Sequence, residues 1–360
     1  MNGTVVQTKV ASQLPLYTGY TFNHDKIAKI REKLPKPGGY KWFEDYIATL
    51  DPYQDWEQIV RCDTHFSFSP FFSSLAHSAM FIDVLQHPLG SSMVKFTGKI
   101  YTSHFGHSRN MDANGFTFSM MLEGLSSTEG SASVERLNHL HKSLWNRYRE
   151  PFVDYDDHLI AVVKICLFPH RIREVFNLPP LPENRRIALL QWGRTLWSKV
   201  YGPEGPHPMD AFPKTWDEVV EYSQRYDAKP FLRTQDGKDA GEALIQHFCW
   251  ACFPRPLWFV GREIVLMTIS DAAVEYMQLG PRHPWLSFLI KKAVHFGFFI
   301  GAMSPDPRTG LVDVIEQQEA KKQSGGFKAN PSHSRVDFLY TIVPLLVFWF
   351  ALKVVGFGIN

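Results

Sequence analysis

Two histidines, His139 and His141, lie two positions apart in the run SVERLNHLHKSLWNRY, residues 133–148. On a helix such neighbours point about 200° apart, so a regular helix cannot offer both to one metal ion. Their surroundings differ. His141 has Leu137, Leu144, Trp145 and Tyr148 one and two turns away, an apolar stripe. His139 has Glu135, Arg136, Lys142, Ser143 and Asn146 around it. The spacing therefore turns His141 inward and His139 toward water. Two chemistries fit an inward histidine on an apolar helix. One is a core imidazole satisfied by a backbone carbonyl. The other is an axial ligand to haem iron, for which a single histidine suffices. The helix pattern leaves both open.

Other constellations carry less. His104-Phe-Gly-His107, with Asp112 beyond it, offers two metal-ligand types but no further spaced acid or histidine, and reads as a surface loop. Cys249-Trp-Ala-Cys252 has thiol-redox spacing, but it sits among Phe248, Trp250 and Phe253 without a βαβ context, and reads as buried small hydrophobes. Residue 253 is Phe, which excludes a c-type haem attachment there. Arg262 opens an apolar helix and is expected to pair with an acid near Glu263 or with Asp271. No Gly-x-Ser-x-Gly elbow, P-loop or dinucleotide fingerprint occurs.

The elements that must position these residues read as helices. Residues 25–60 hold two short helical candidates broken at LPKPGG. Helical spacing recurs over 73–86, 114–125, 133–148 and 156–168. Pro182-Glu183 opens a helix to about Tyr201, and Thr215-Trp-Asp-Glu218 has the form of a capping box opening another. Apolar segments at 239–253, 257–278 and 284–302 complete the set. Alternating strand patterns are scarce, so the fold class is all-α.

Composition bounds the function. The chain has 360 residues, 44% hydrophobic and 14% aromatic with 28 Phe and 10 Trp, enough for a large apolar core or pocket. A net charge of +2 with dispersed basic residues argues against nucleic acid. Four cysteines in so long a chain give no disulfide framework and suit a cytosolic body.

From Phe338 to Leu352 the sequence reads FLYTIVPLLVFWFAL, with no charge. As a helix, residues 338–357 would extend about 30 Å, the thickness of a bilayer core. Pro344 is tolerable in such a helix, and Lys353 can reach the interface. Lys321, Lys322, Lys328 and Arg335 precede the segment without an acid, which keeps the body cytosolic. The N-terminal residues contain no apolar signal-peptide region. A tail-anchored layout follows, with residues 338–357 expected to hold the chain on the membrane alone.

The run Arg136-Leu-Asn-His-Leu-His141-Lys142 resembles the Arg-x-x-x-x-His motif of the fungal ER-bound oxygenases of the mycophenolic-acid pathway type. It is also similar to the bacterial latex-clearing rubber oxygenases, which share that catalytic domain. Thr97-Gly98 followed by His107-Ser-Arg109 resembles the segment before the family's long helix. Tyr155-Asp-Asp-His-Leu159, Phe212-Pro-Lys-Thr-Trp-Asp-Glu218 and Val260-Gly-Arg-Glu-Ile264 resemble later elements, so the likeness covers roughly residues 60–300.

The resemblance implies a globin-like all-α domain holding one haem b, and an iron-dependent oxidoreductase that uses dioxygen to cleave or oxidise a C=C bond of a lipophilic isoprenoid-type substrate. It implies an endoplasmic reticulum membrane setting and secondary-metabolite biosynthesis. His141 would be the proximal metal ligand. Arg109 would bind a haem propionate or polarise the distal side; its alternative is a solvated loop arginine. The sequence also departs from the family. The bacterial enzymes have a lysine and a threonine where Asp112 and Ala113 stand, so no lysine from this segment can cap the sixth iron position. The arginines flanking the rubber-oxygenase histidine appear as Asn138 and Trp145, and residues 91–99 supply no glutamate base. The expected layout is an N-terminal extension (1–60), a haem-binding oxygenase-like domain (61–303), a linker (304–337) and a membrane anchor (338–358). The competing class is a non-catalytic helical membrane scaffold or lipid-binding relative.

Overall fold

Helices carry almost the whole of the chain between residues 24 and 323, which the computed structural model describes, apart from the side chains of residues 24, 103–105, 108, 318, 319 and 321–323. The expected anchor and the later part of the expected linker lie outside these residues. There are fifteen α-helices in the described chain and one two-residue hairpin.

α1 (His24–Glu32) and α2 (Trp42–Ala48) flank the LPKPGG break, and α3 (Trp56–Ser67) follows. α4 (Pro70–Leu85) begins with Pro70 in its first turn and Ser69 Oγ accepting from the Phe72 N–H at 3.1 Å. α5 (Pro88–Thr97) ends at Gly98 in the left-handed conformation. α6 (Ser103–Glu123), α7 (Thr128–Trp145), α8 (Tyr155–Val175) and α9 (Glu183–Trp197) come next. The hairpin pairs β1 (Tyr201–Gly202) with β2 (Gly205–Pro206). α10 (Trp216–Asp227) starts at Thr215, whose hydroxyl accepts from the Glu218 N–H at 3.2 Å. The reciprocal Glu218 carboxylate accepts from the Lys214 N–H, one residue earlier than a capping box requires. α11 (Gln235–Cys252), α12 (Trp258–Thr268), α13 (Asp271–Tyr276), α14 (Pro284–Met303) and α15 (Leu311–Gln323) complete the order.

Three packed cores hold these elements. The first gathers α2, α3, the end of α6, α9, α10 and the first half of α8 around Leu159, Val163, Trp192 and Trp197. The second joins α4, α5, α11, α12, α13 and α14 with Phe168 and Phe176 from the far end of α8. α8 is thus common to both. It runs through Pro169, where the sequence pattern stops the helix. Interior proline costs about 3 kcal/mol, and burial of Phe168 and Phe176 in the second core offsets it.

The smaller third core packs Ile27 and Ile30 of α1 against Phe118 and Leu122 of α6 and Leu311 and Val312 of α15. Two expected boundaries therefore dissolve. Residues 24–60 are built into the body rather than extending from it, and the first part of the expected linker is a helix docked on α1 and α3. The apolar pair Leu311-Val312 at the start of α15 supplies its anchoring. Arg185 of α9 ties α2 and α3 together by donating to both Glu44 and Asp63 at 2.8–2.9 Å. One described helix, α14, is long and apolar enough to cross a membrane, with mean hydropathy 1.4.

Candidate functional site

α6 is the element that sequence reasoning shortened most. It starts eleven positions before Asn114 and carries His107, Arg109, Asn110 and Asp112 as helix rather than loop. Gly106 makes this possible. It has φ +75°, and a Cβ there would come within 2.7 Å of the Ile100 backbone. Only glycine fits that crossing. The irregularity also falls immediately before the residues that matter.

His141 and His139 on α7 divide as their spacing predicts: His139 is exposed, and His141 is half-buried. The His141 ring lies 5.6 Å from that of His158 on α8, stacked at 30°, and 5.7 Å from Phe152. His158 Nδ1 is 2.9 Å from His207 Nε2, a hydrogen bond in which one neutral ring donates to the other. His207 follows the hairpin and is clamped flat on Trp197, 4.5 Å between centroids at 12°. A Cβ on Gly202 would press on the His207 ring at 2.9 Å, so the hairpin glycine leaves room for it. Trp197 is fixed in turn by donating its indole N–H to the Pro208 carbonyl at 3.0 Å. The second nitrogen of His158, Nε2, is buried and has no hydrogen-bond partner.

A second histidine group gathers on α4, α6 and α11. His107 of α6 and His247 of α11 stack with centroids 5.6 Å apart, Nδ1 to Nε2 3.4 Å. Asn110 Nδ2 approaches the remaining nitrogen of His247 at 3.4 Å. His77 of α4 sits edge-on to His247 at 6.1 Å and packs on Phe81. The Arg109 guanidinium lies over the same Phe81 ring, 4.7 Å from its centroid.

Burial holds these imidazoles neutral. It pushes His141 down to about 4, with Arg109 and then His207 adding to the effect. His158 falls to about 3 by burial, then by His141 and His207. His247 falls to about 3 by burial and His107, and His77 is held well below its usual range by burial and then Arg109. Arg109 is itself lowered by burial, against which Asp112 pulls upward. Arg109 and His141 are half-buried by surface area.

Among the described residues Arg109 has neither a hydrogen-bond acceptor nor an ion-pair partner; its guanidinium lies over the Phe81 ring, and Asp112 acts on it only at longer range. A desolvated cation without an anion costs several kcal/mol. A cation–π contact recovers roughly 0.5–2 kcal/mol of that. The arrangement suits an anionic ligand that brings its own carboxylate. No group of three or more His, Cys, Asp or Glu among the described residues is disposed to hold a metal ion. A single-histidine haem site needs none.

Other expectations resolve simply. Arg262 pairs with Glu242 in a two-bond fork at 2.7 Å, not with Asp271, which Arg282 takes. The helix turn places Glu242 of α11 across from α12, a partner no local spacing reveals. Cys249 is buried, Cys252 half-buried, and neither is in a disulfide. His107 is part of the interior rather than a surface loop; the His104 side chain is outside the described residues. A cavity of about 320 Å³ opens between α4, α8, α10 and α13, lined by Asp83, Lys164 and Asp227. It contains none of the residues predicted for the site. Its charged floor is already paired, which marks it as part of the scaffold. Sequence reasoning missed His77, His158, His207 and His247. The only available signal was the histidine content itself, since the four lie on separate elements.

No protein-family model matches this chain, and no curated protein matches it.

Proposed function

We propose that this chain is a membrane-anchored, haem b-dependent oxygenase of the ER-bound and latex-clearing oxygenase type, acting on a C=C bond of a lipophilic isoprenoid-type substrate. One observation carries the reading: a half-buried Arg109 guanidinium that makes no hydrogen bond or ion pair among the described residues, with Asp112 acting on it only at longer range, lies near enough to His141 to help keep that imidazole neutral. The residues fit haem b. A neutral imidazole offers the lone pair that iron requires. A guanidinium matches a propionate carboxylate with paired N–H donors.

Bound haem would supply the electronics for dioxygen chemistry. The protein's own residues do the rest. His158 and His207 set the plane of His141 by ring stacking and a hydrogen bond, and Trp197 holds that pair in place. Phe81 lies under the Arg109 guanidinium and Phe152 beside the His141 ring, giving both an apolar neighbour. His107, Asn110 and His247 form a chain of ring and amide nitrogens able to hold a proton at a ring nitrogen. Asp112, raised by burial, stands where a lysine would cap the iron in the bacterial enzymes. No lysine of α6 therefore competes with dioxygen. Cleavage of an alkene by one O2 into two carbonyl products balances without an external reductant.

The test is spectroscopic. Full-length protein made with haem available shows a Soret band and consumes dioxygen with prenylated phenols, terpenoids or unsaturated lipids. His141→Ala loses the haem, His139→Ala keeps it, and Arg109→Ala binds it more weakly. Equal haem in wild type and His141→Ala overturns the ligand assignment. Wild type with no Soret band overturns the oxygenase reading in favour of a scaffold.

A further inference from the structure

α14 does not close its apolar surface against the body. Trp285, Phe288, Lys292, Phe296, Phe299 and Met303 share one face at three- and four-residue spacing. Their exposure is high: Trp285 63%, Phe288 57%, Phe299 57% and Met303 59%. From His295 onward the neighbours Phe298 and Ile300 are exposed as well. Soluble surfaces rarely carry a contiguous patch of large aromatics of this kind.

We infer that α14 is a second membrane contact, lying in the plane of the bilayer with this face among the acyl chains. This rests on the membrane placement proposed above. Three features argue for lipid as the occupant and for an in-plane pose. First, the opposite face is committed to the body: Leu286, Ile290 and Ala293 are buried, and α14 packs on α12. With that side held on a body that carries many charged helices, the exposed side is the one left for lipid. Second, its C-terminal end is latched rather than free. Tyr40 Oη donates to the Met303 carbonyl, and Lys41 Nζ donates to the Gly301 carbonyl at 3.1 Å.

Third, the charges sit where a headgroup layer would meet them. Lys292 lies within this face and runs along the Phe288 ring, 5.4 Å from its centroid, so that its ammonium can snorkel to the headgroups beside Lys291, while Lys41 at the far end is paired with Asp306. Between them, Ala293–Met303 carries no Lys, Arg, Asp or Glu. A basic-flanked aromatic face on a helix is the composition of an interfacial element. The position in the chain agrees: the apolar stretch at 338–357 begins shortly after α15, so an anchored tail holds this part of the body near the bilayer.

The experiment uses the full chain in vesicles of zwitterionic and anionic phospholipid carrying a photoreactive group at the headgroup–acyl boundary, with cross-linked peptides mapped by mass spectrometry. Cross-links are expected in residues 285–303 as well as in 338–357. Phe296→Ser with Phe299→Ser should cut the α14 yield about tenfold or more, since each removes a large apolar side chain from the acyl region. The 338–357 yield should not change. Both side chains are exposed, so folding is retained, and an unchanged circular dichroism spectrum verifies it. Cross-links in 338–357 alone overturn the α14 contact while leaving the anchor standing. Links from α14 to a second copy of the chain overturn it in favour of a dimer face. Absence of lipid cross-links from both segments overturns the membrane placement itself.

Discussion

Replacing Lys164 by Met separates scaffold from site. Lys164 is 7% exposed, and its ammonium donates to both Asp227 oxygens at 2.9–3.0 Å. It also pairs with Asp83 at 3.3 Å. Burial alone would lower its pKa; the Asp83 and Asp227 carboxylates override this and raise it. Asp227 is raised by burial, with Lys164 pulling against that. Gln86 Nε2 donates to Asp227, and Asp83 accepts the Ser270 N–H, so both acids stay held after the cation is gone. Removing one partner of a buried ion group costs about 3–5 kcal/mol. The lower end applies because Asp227 keeps one-fifth of its side-chain surface and borders the 320 Å³ cavity, where water can enter. An unfolding entropy of about 2.1 cal/mol/K per residue makes 3 kcal/mol a fall in Tm of roughly 5 °C for a body of about 300 residues.

The pH dependence gives the sign. In Lys164→Met the stranded Asp227 keeps a folded pKa above its unfolded one, raised by burial and no longer opposed by Lys164. Its cost therefore grows as pH rises through that window and shrinks as pH falls toward about 5. Thermal unfolding of detergent-solubilised protein, followed by circular dichroism at about pH 8 and 5.5, measures both. At permissive temperature the Soret band should be that of wild type. A Tm loss under about 1 °C at pH 8 refutes the energetic argument. Loss of haem from a folded Lys164→Met protein refutes the separation of this cavity from the histidine site.

Two further outcomes follow from the same structure. His77, His141, His158 and His247 have folded pKa values depressed below the unfolded value by burial. Their contribution to stability is complete above about pH 6.5 and drains away as pH falls through about 4 and 3. Tm should thus decline on acidification across that window, and a flat profile from about pH 7 to 4 would contradict neutral burial. Deleting residues 337–360 should release the protein from firm anchorage yet leave weak, reversible vesicle binding through α14, measured by flotation. This revises the expectation that the tail acts alone. Complete release with haem retained would support the tail-only reading.

Much of the helical framework was legible because it rests on local rules. The 3.6-residue apolar spacing marked α4, α7 and α11, and Thr215 and Ser69 sit at helix starts for the usual hydrogen-bonding reason. Local rules failed where distant packing decides. Pro169 reads as a stop, but Phe168 and Phe176 are buried on either side of it. Leu311 and Val312 look like loop residues among Pro and Gly, yet they fill a core made by α1 and α6. The start of α6 is short of apolar spacing, and its His107 and Asn110 face His247 instead of a greasy core. A hydrophobic-pattern reading therefore sees only a loop.

The site was legible in its parts that sit on a patterned surface and illegible in those that do not. His141 declares itself because its helix has an apolar side and it stands on it. His158 has no such contrast: α8 is buried over most of its circumference, so no face singles the residue out. His207 lies outside any helix, and only the hairpin fold-back delivers it to His158. His77 and His247 sit on helices buried among hydrophobic neighbours, where a histidine reads as a satisfied core residue. What changes that reading is convergence. Five helices and one hairpin bring six histidines into two groups, His77 and His141 near enough to Arg109 to feel its charge, and burial lowers the pKa of five of the six. A core without a ligand gains nothing from so many desolvated polar rings around an unpaired guanidinium, since each costs free energy to bury. A ligand that accepts from Arg109 and takes a lone pair from an imidazole would offset that cost, which is why we propose haem for this interior.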